Sequence, residues 1–230
     1  TGGLALLVGF LLLGNIANTY DVSQMSSQSA IIKADPLYLA VLLLVLLGSF
    51  TKSAQFPFHF WLPNAMTAPT PISAFLHSAT MVKAGIYLLA RLHPIMGGTY
   101  PWMATLVVTG GITALLGSVL AIQATDLKRI LAFTTIMALG ILTMFLGGKT
   151  TPALTAAMTF LLVHSLYKCS LFLVVGTIDH QTGTRMLDRL GGLLRHMPIT
   201  GIAAAMSSFS MAGFPLFFGF IGKEIMYKGA

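Results

Sequence analysis

Basic side chains interrupt several apolar runs of this sequence. A charged lysine at the centre of a membrane helix costs about 2.5 to 3.5 kcal/mol to insert, so it normally faces a bundle interior or a hydrated cavity. Burial disfavours the ammonium form and a nearby carboxylate favours it, so such a lysine can take up and release a proton as its surroundings change. The pattern predicts proton or ion handling, and the candidate residues are Lys52, His77, Lys83, His164, Lys168 and Lys223.

The spacing of these residues predicts which of them can work together. His164 and Lys168 are four residues apart, which places them on one face of a helix, where they can share a proton or a water chain. His77 and Lys83 are six residues apart, about 120° around a helix, so they would need a bend to share one narrow site. We therefore expect His77 and Lys83 to serve successive steps of a path.

Two of the lysines stand close to helix-breaking prolines. Pro57 follows Lys52, and Pro215 precedes Lys223. A proline removes a backbone donor and clashes with the preceding turn, which frees carbonyl groups beside each cation. Transporters use broken helices of this kind at mid-membrane sites. The two proline-interrupted segments also suggest an internal repeat, although their sequences match poorly.

Composition places the chain in a membrane. Of the 230 residues, 56% are hydrophobic and only 8% are charged, and the mean hydropathy is +0.85, which is too apolar for a soluble globule. The basic residues that give the net charge of +7 are scattered rather than clustered, which argues against a nucleic-acid partner. With a lone Cys169 and no glycine-rich nucleotide loop, CxxC or zinc-type histidine pair, the sequence predicts neither a cofactor nor a metal.

The apolar runs predict an all-α fold, a polytopic helical bundle with broken helices. About 20 apolar residues cross the hydrocarbon core, and prolines and polar turns bound about seven helices. We expect a polar loop at 18–35 and an irregular break at 56–63, and we expect helices at 2–16, 36–53, 72–91, 102–122, 127–146, 152–178 and 199–221. Residues 1–230 would form one transmembrane domain. Because the chain begins in an apolar run without a methionine, we expect it to be an internal piece of a longer protein.

Loop charges give a weak prediction of orientation. Alternating the loops places one set of basic residues on the cytoplasmic side, where Lys and Arg are usually enriched: Lys128, Arg129, Arg185, Arg189 and Arg195. Trp61 and Trp102 would then lie near opposite interfaces. Some of these residues have an alternative, purely structural interpretation. The long side chain of Lys223 could extend its ammonium group to the lipid headgroups, and His59 could lie at the membrane interface. A passive anchor, however, would not be expected to carry Lys52, Lys83 and Lys168.

Several ordered motifs resemble one family of membrane proteins. They are Lys52–Pro57, Trp61–Pro63, Ala68–Pro71, His77–Gly85, Thr125–Ala132 and His164–Lys168. This series is similar to the antiporter-like proton-translocating subunits, which include chain 5 of respiratory complex I, membrane subunits of related hydrogenases, and the A and D subunits of Mrp-type sodium/proton antiporters. Lys83, where the complex I chain usually carries an uncharged residue, and the loop Asp179–Arg185 resemble the branch of the Mrp A subunits.

The resemblance implies an architecture and a function. The fold would contain inverted five-helix repeats, of which this chain spans the end of one and most of the other. The function would be proton translocation within a multi-subunit Na⁺/H⁺ antiporter of the bacterial cell membrane, a secondary transporter and not an enzyme. Its partners would be other membrane subunits, protons, Na⁺ and the lipid bilayer. The alternative is a proton-pumping membrane subunit of complex I or a hydrogenase.

The resemblance also assigns roles to residues. Lys52 would be the lysine of the first broken helix, paired in the family with a glutamate on an earlier helix. His77 and Lys83 would bridge to Lys168 in the second repeat. Lys223 would be the terminal lysine on the second broken helix. Phe160 departs from the pattern, because some relatives carry a second histidine at this position, one turn before His164.

Overall fold

Helices make up nearly all of the regular structure in the computed structural model, which describes residues 1–229. The α-helices, numbered in chain order, are α1 Gly2–Ala17, α2 Val22–Ser27, α3 Ser29–Ala34, α4 Tyr38–Lys52, α5 Trp61–Asn64, α6 Thr70–Ala74, α7 Met81–Met96, α8 Tyr100–Gln123, α9 Leu127–Leu146, α10 Thr151–Thr182, α11 Leu193–His196, α12 Pro198–Ala212 and α13 Phe218–Gly229. Short 3₁₀ turns lie at Phe58–Phe60, Ala65–Thr67 and Leu187–Arg189, and a π-helical segment at Phe75–Ala79 joins α6 to α7. No β-strand occurs within residues 1–229.

Four of the helical segments are long and apolar enough to cross a membrane: Thr70–Met96, Tyr100–Gln123, Leu127–Leu146 and Thr151–Thr182. The apolar helices α1 and α4 are shorter, at 16 and 15 residues. The prediction of an all-α, polytopic membrane bundle is confirmed. All seven predicted segments are helical, and the last is divided into α12 and α13 around Pro215.

The predicted loop at 18–35 is wrong, because this segment folds into α2 and α3. The side chain of Asp21 accepts a hydrogen bond from the backbone N–H of Ser23 and so caps α2. Met25 and Ile32 are buried and belong to the hydrophobic core. These two apolar side chains stand among serines and glutamines, so the polar composition concealed helices that pack on the bundle.

The predicted end of the third helix at Arg91 is also wrong. The helix begins earlier, at Thr70, and continues through Pro94 to Met96. Pro94 lies in the last turn, where only one hydrogen bond is lost and few carbonyl groups follow. The π-helical segment Phe75–Ala79, which the sequence did not predict, supplies a bend between His77 and Lys83.

The first broken helix satisfies its own freed carbonyl groups. After α4 ends at Lys52, the carbonyl of Ser49 accepts from the backbone N–H of Ser53, and that of Phe50 accepts from Gln55. The carbonyl of Thr51 accepts from the indole N–H of Trp61 at 3.0 Å. The expected carbonyl partners of the Lys52 cation are therefore occupied by the backbone and by Trp61.

Contacts between helix ends define two ends of the bundle. At one end, the Tyr38 hydroxyl lies 2.6 Å from the Thr99 hydroxyl, and the Trp102 indole donates to the Leu146 carbonyl at 2.9 Å. At the other end, Asp126 before α9 pairs with Arg185 after α10. The last arrangement places two of the predicted cytoplasmic basic residues, Lys128 and Arg185, at one end. Trp102 is fully buried and is therefore not the lipid-interface residue that we expected.

Helices α8 and α9 approach each other through glycines. A Cβ atom added at Gly110 would lie 2.6 Å from the Gly140 carbonyl oxygen and 2.7 Å from the Met144 nitrogen. A Cβ atom at Gly140 would lie 2.5 Å from the Ala114 nitrogen. Backbone atoms cannot move aside as a flexible side chain can, so these positions require glycine. Small residues allow the same close packing at other helix interfaces in membranes.

We expect Gly110→Ala to lower the free energy of unfolding by about 1 to 3 kcal/mol, because it overpacks this backbone contact. Gly111→Ala is the matched control, since nothing lies within 4 Å of a Cβ atom at Gly111. Thermal unfolding of the detergent-solubilised protein should show a lower midpoint for the first variant only. Equal midpoints for the two variants would contradict the close α8–α9 packing.

Candidate functional site

Lys83 joins α7 to α10. It lies in the first turn of α7, just after the π-helical segment, and its side chain is 3% exposed. Its ammonium group donates a hydrogen bond to the hydroxyl of Ser165 on α10. Ser165 directly follows His164 and stands three residues before Lys168. The contact therefore brings Lys83 to the turn of α10 that carries two other candidate residues.

Lys168 joins α10 to α9. Its side chain is 1% exposed, and its ammonium group donates to the Thr134 hydroxyl and to the Leu131 carbonyl, the latter at 3.3 Å. Both acceptors are neutral. Lys83 and Lys168 are thus held in the bundle interior by hydroxyl and carbonyl groups, without a carboxylate among the partners recorded in residues 1–229.

His164 lies on the same helix and is fully buried between aromatic rings. The ring centroid of Phe160 is 6.0 Å away and that of Tyr167 is 5.3 Å away. Neither ring nitrogen of His164 has a hydrogen-bond partner within the described chain. Buried polar atoms are nearly always satisfied, and the exceptions often mark functional sites. His164 can therefore exchange protons with groups or water that reach it.

His77 occupies the π-helical segment and is also buried. Its Nδ1 atom has no partner among the described residues, and its ring lies 6.2 Å from the ring of Trp61. Because Trp61 also donates to the carbonyl of Thr51, the indole connects the end of α4 with His77. π-Helical segments occur frequently at functional sites.

Lys52 is exposed on the surface of this chain, so the expectation of a buried position is wrong. Its helix, α4, has 15 residues and is about 22 Å long. Since α4 begins beside Thr99 at one end of the bundle, it ends short of the roughly 30 Å hydrocarbon thickness. Lys52 therefore faces outward at the C-terminal end of α4, and within residues 1–229 its ammonium group makes no hydrogen bond.

Lys223 sits in the second broken helix and is half-buried. Its ammonium group donates to the carbonyl of Ala212, the last residue of α12, at 2.8 Å. A helix C-terminus favours a cation through its free carbonyl groups and its dipole. The expected pairing of a cation with a broken-helix carbonyl is thus present at Lys223, whereas it is absent at Lys52.

The candidate residues divide into a connected group and two outer lysines. Lys83, His164 and Lys168 are brought together on α7 and α10, with α9 completing the group. His77 is near this group through the π-helical segment, which contacts α10. Lys52 and Lys223 lie on opposite sides, and no hydrogen bond links either of them to the group within the described residues. A chain of ionisable side chains with gaps suits stepwise proton transfer better than a single binding pocket.

Sequence reasoning missed a charged cluster at the end of the bundle. Lys128, expected in a loop, is only 2% exposed and donates to the Ala68 carbonyl at 3.1 Å. Its ammonium group lies 3.9 Å from the Asp179 carboxylate. Arg185 contacts both Asp179, at 4.0 Å, and Asp126, at 2.5 Å. The one available signal in the sequence is that Thr125 or Asp126 is placed to cap α9, and Asp126 is the residue that does so.

The part of the chain that the structure describes contains no candidate metal centre. Among residues 1–229, no group of three or more His, Cys, Asp or Glu side chains is placed to hold a metal ion.

Three comparisons relate this chain to known proteins. A family model described as NADH:quinone oxidoreductase/Mrp antiporter, transmembrane, matches residues 1–230. The A/B subunit of a probable K⁺/H⁺ antiporter of Rhizobium meliloti is 50% identical over 230 residues, which is 100% of this chain and 23% of that protein. The A subunit of the Na⁺/H⁺ antiporter of Bacillus subtilis is 47% identical over 238 residues, covering 99% of this chain and 30% of that protein.

A solved structure shares the fold. The Mrp complex from Dietzia sp. contains a chain that superposes with a TM-score of 0.92 at 45% sequence identity. The match covers 99% of this chain and 25% of that chain. The present chain therefore spans less than a third of the length of these relatives.

We expect Thr134→Val to destabilise the protein, because it removes a hydroxyl acceptor from the buried Lys168 ammonium without changing the side-chain shape. The loss should be about 1 to 3 kcal/mol, the cost of a weakened hydrogen bond to a charged group. Thr143→Val is the control, since the hydroxyl of Thr143 is buried but bonds to the carbonyl of Leu139 in its own helix, away from Lys168. Thermal unfolding should separate the two variants, and equal midpoints would contradict the Lys168 contact.

Proposed function

Because the chain belongs to the NADH:quinone oxidoreductase/Mrp antiporter transmembrane family, we propose that it is a proton-translocating part of the A subunit of a multi-subunit Mrp-type Na⁺/H⁺ antiporter. The observation that carries the proposal is the pair Lys83 and Lys168, buried in membrane helices on neutral partners. The relatives named as antiporter subunits and the solved Mrp complex support it.

The proposed mechanism is secondary transport driven by the proton gradient. A proton that enters near Lys52 alters the local charge, and the change passes through His77 to Lys83. From there the Ser165 contact leads to His164 and Lys168 on α10. Each elementary charge moved across 100 mV is worth about 2.3 kcal/mol, and neutral partners allow a lysine to lose its proton without leaving a buried carboxylate unpaired.

The last step of the path leads from α10 to Lys223. Helix α10 packs against both α12 and α13, and the Ser170 and Ser207 hydroxyls lie 2.6 Å apart across the α10–α12 contact. A Cβ atom at Gly222 on α13 would lie 3.3 Å from the Val163 side chain. Water or a movement of the broken helix would have to carry the proton over the remaining gap.

The proposal includes the setting of the chain. It is part of a transporter, not an enzyme in itself, and lies in a bacterial cell membrane with other membrane subunits. Residues 1–230 form one transmembrane unit with inverted repeats. We assign Na⁺ as the exchanged cation, and K⁺ is the alternative, since one relative is named as belonging to a probable K⁺/H⁺ antiporter.

A second function remains within the same family, whose description also names NADH:quinone oxidoreductase. In that case the same residues would pump protons driven by electron transfer. The two functions differ in the proteins that accompany the chain. Small antiporter subunits that co-purify with it would favour the first function, and flavin or iron–sulfur subunits would favour the second.

We expect Lys83→Met and Lys168→Met each to abolish antiport, because methionine fills the same volume but carries no proton. The assay is the fluorescence recovery of a pH-sensitive dye in inverted vesicles containing the assembled complex, after addition of NaCl or KCl. Lys149→Met is the control, since Lys149 is exposed in a loop. Normal recovery in either buried-lysine variant would remove that lysine from the path.

We expect Lys52→Ala to abolish antiport while the complex still assembles, because an exposed side chain at the end of α4 adds little to packing. Blue-native gel electrophoresis reports assembly, and the same dye assay reports transport. Normal Na⁺-dependent recovery in Lys52→Ala vesicles would refute the role of Lys52.

A further inference from the structure

The charged cluster at the end of the bundle joins three parts of the chain that are far apart in sequence. The first is the start of α9, with Asp126 and Lys128, and the second is the end of α10 and the residues after it, with Asp179 and Arg185. The third is the carbonyl of Ala68, in the segment that leads into α6. The cluster therefore connects the α9–α10 pair with the beginning of the Thr70–Met96 span.

Two backbone hydrogen bonds make one side of this cluster rigid. The N–H of Leu127 donates to the carbonyl of Arg185 at 3.1 Å, and the N–H of Leu187 donates to the carbonyl of Thr125 at 3.0 Å. The Asp126 carboxylate caps α9 through the N–H groups of Lys128 and Arg129 and also accepts from the Arg185 side chain. The start of α9 and the residues after α10 therefore form a fixed frame.

The segment around Ala68 borders two open clefts. One, of about 530 Å³, is lined in part by Met66, Thr67 and Arg185, and the other, of about 700 Å³, is lined in part by Pro69, Thr70 and Asp179. Thr70 also packs against Gly176 of α10, so the Lys128 hydrogen bond to Ala68 adds a polar contact to this packing.

Lys128 differs from the other buried lysines in its partners. Lys83 and Lys168 contact only neutral acceptors, whereas Lys128 faces the Asp179 carboxylate at 3.9 Å as well as the Ala68 carbonyl. A nearby carboxylate stabilises the charged form of a lysine. Lys128 is therefore the one of these three lysines that has an anion beside it.

We infer that Lys128 is a positioning residue, a clasp between Ala68 and Asp179 that helps to hold the α6–π–α7 segment in place against α10. The segment begins two residues after Ala68 and carries His77 and then Lys83, whose contact with Ser165 depends on its position relative to α10. Lys128 acts through this placement and does not itself pass protons.

A cross-link between Thr70→Cys and Gly176→Cys tests the clasp directly. A Cβ atom at Gly176 would lie 2.9 Å from the Thr70 Cβ, about 1 Å closer than the roughly 3.8 Å found in disulfides, so α6 and α10 must move slightly apart for the bond to form. The native Cys169 is replaced by alanine in this background. Membranes containing the full complex are treated with a mild oxidant, and the fraction of the two cysteines protected from a maleimide reagent measures the cross-link.

We expect Lys128→Met to reduce the rate of cross-linking several-fold, because Ala68 is no longer held against Asp179. Lys128→Arg should restore it, since arginine supplies a permanent cation that reaches the same acceptors. Arg129→Gln is the matched control, as the neighbouring Arg129 side chain is exposed. If Lys128→Met does not accumulate, Asp179→Asn serves as the second variant, with the same reduction expected.

Transport in the same variants separates a positioning role from proton transfer. Lys128→Arg should retain antiport, whereas Lys128→Met should lose it together with the cross-link. Unchanged cross-linking in Lys128→Met or Asp179→Asn would overturn the clasp. Restored cross-linking with lost antiport in Lys128→Arg would show that Lys128 must release a proton and would also overturn the inference. The transport readout rests on the proposed function, but the cross-link does not, so failure of one is distinguishable from failure of the other.

Discussion

The constraint on which this structure depends is the cost of placing ammonium groups in a hydrocarbon environment. The lysines meet that cost differently. Lys83 and Lys168 use neutral hydroxyl and carbonyl groups, Lys128 adds a carboxylate, and Lys223 uses the end of a broken helix. Lys52 has no such partner within residues 1–229. The kind of partner therefore separates Lys83 and Lys168 from Lys128.

The helical interruptions serve these lysines in two ways. The break after α12 leaves the Ala212 carbonyl available to Lys223. The break after α4 instead closes its carbonyls with backbone donors and the Trp61 indole, whose ring also packs beside His77. The π-helical segment then turns the chain between His77 and Lys83, which are separated by about 120° on a regular helix.

Much of the fold could be predicted from the sequence, because long apolar runs and the prolines between them are strong local signals. The start and end of α9 were predicted to the residue, and Asp126 is one of the two residues, with Thr125, that the sequence offered as its cap. The π-helical segment could not be predicted, since its residues differ little from those of a regular helix. The charged cluster was missed because Lys128 and Asp179 are distant in sequence, and their pairing depends on how α9 and α10 pack. The burial of Lys83, His164 and Lys168 was predicted from their place in apolar runs, but the outward position of Lys52 depends on which side of α4 the bundle covers.

The glycine contact between α8 and α9 has a consequence for leakage. With backbones that meet at Gly110, Gly117 and Gly140, the seam between the two helices has no space for a file of water molecules. Helix α8 carries no ionisable side chain along its apolar length after Tyr100 and is largely exposed. Helices α8 and α9 therefore form a tightly packed contact on one side of Lys168, which donates to Thr134 of α9. A file of water molecules beside α9 would instead have to run along its contacts with α7 and α10.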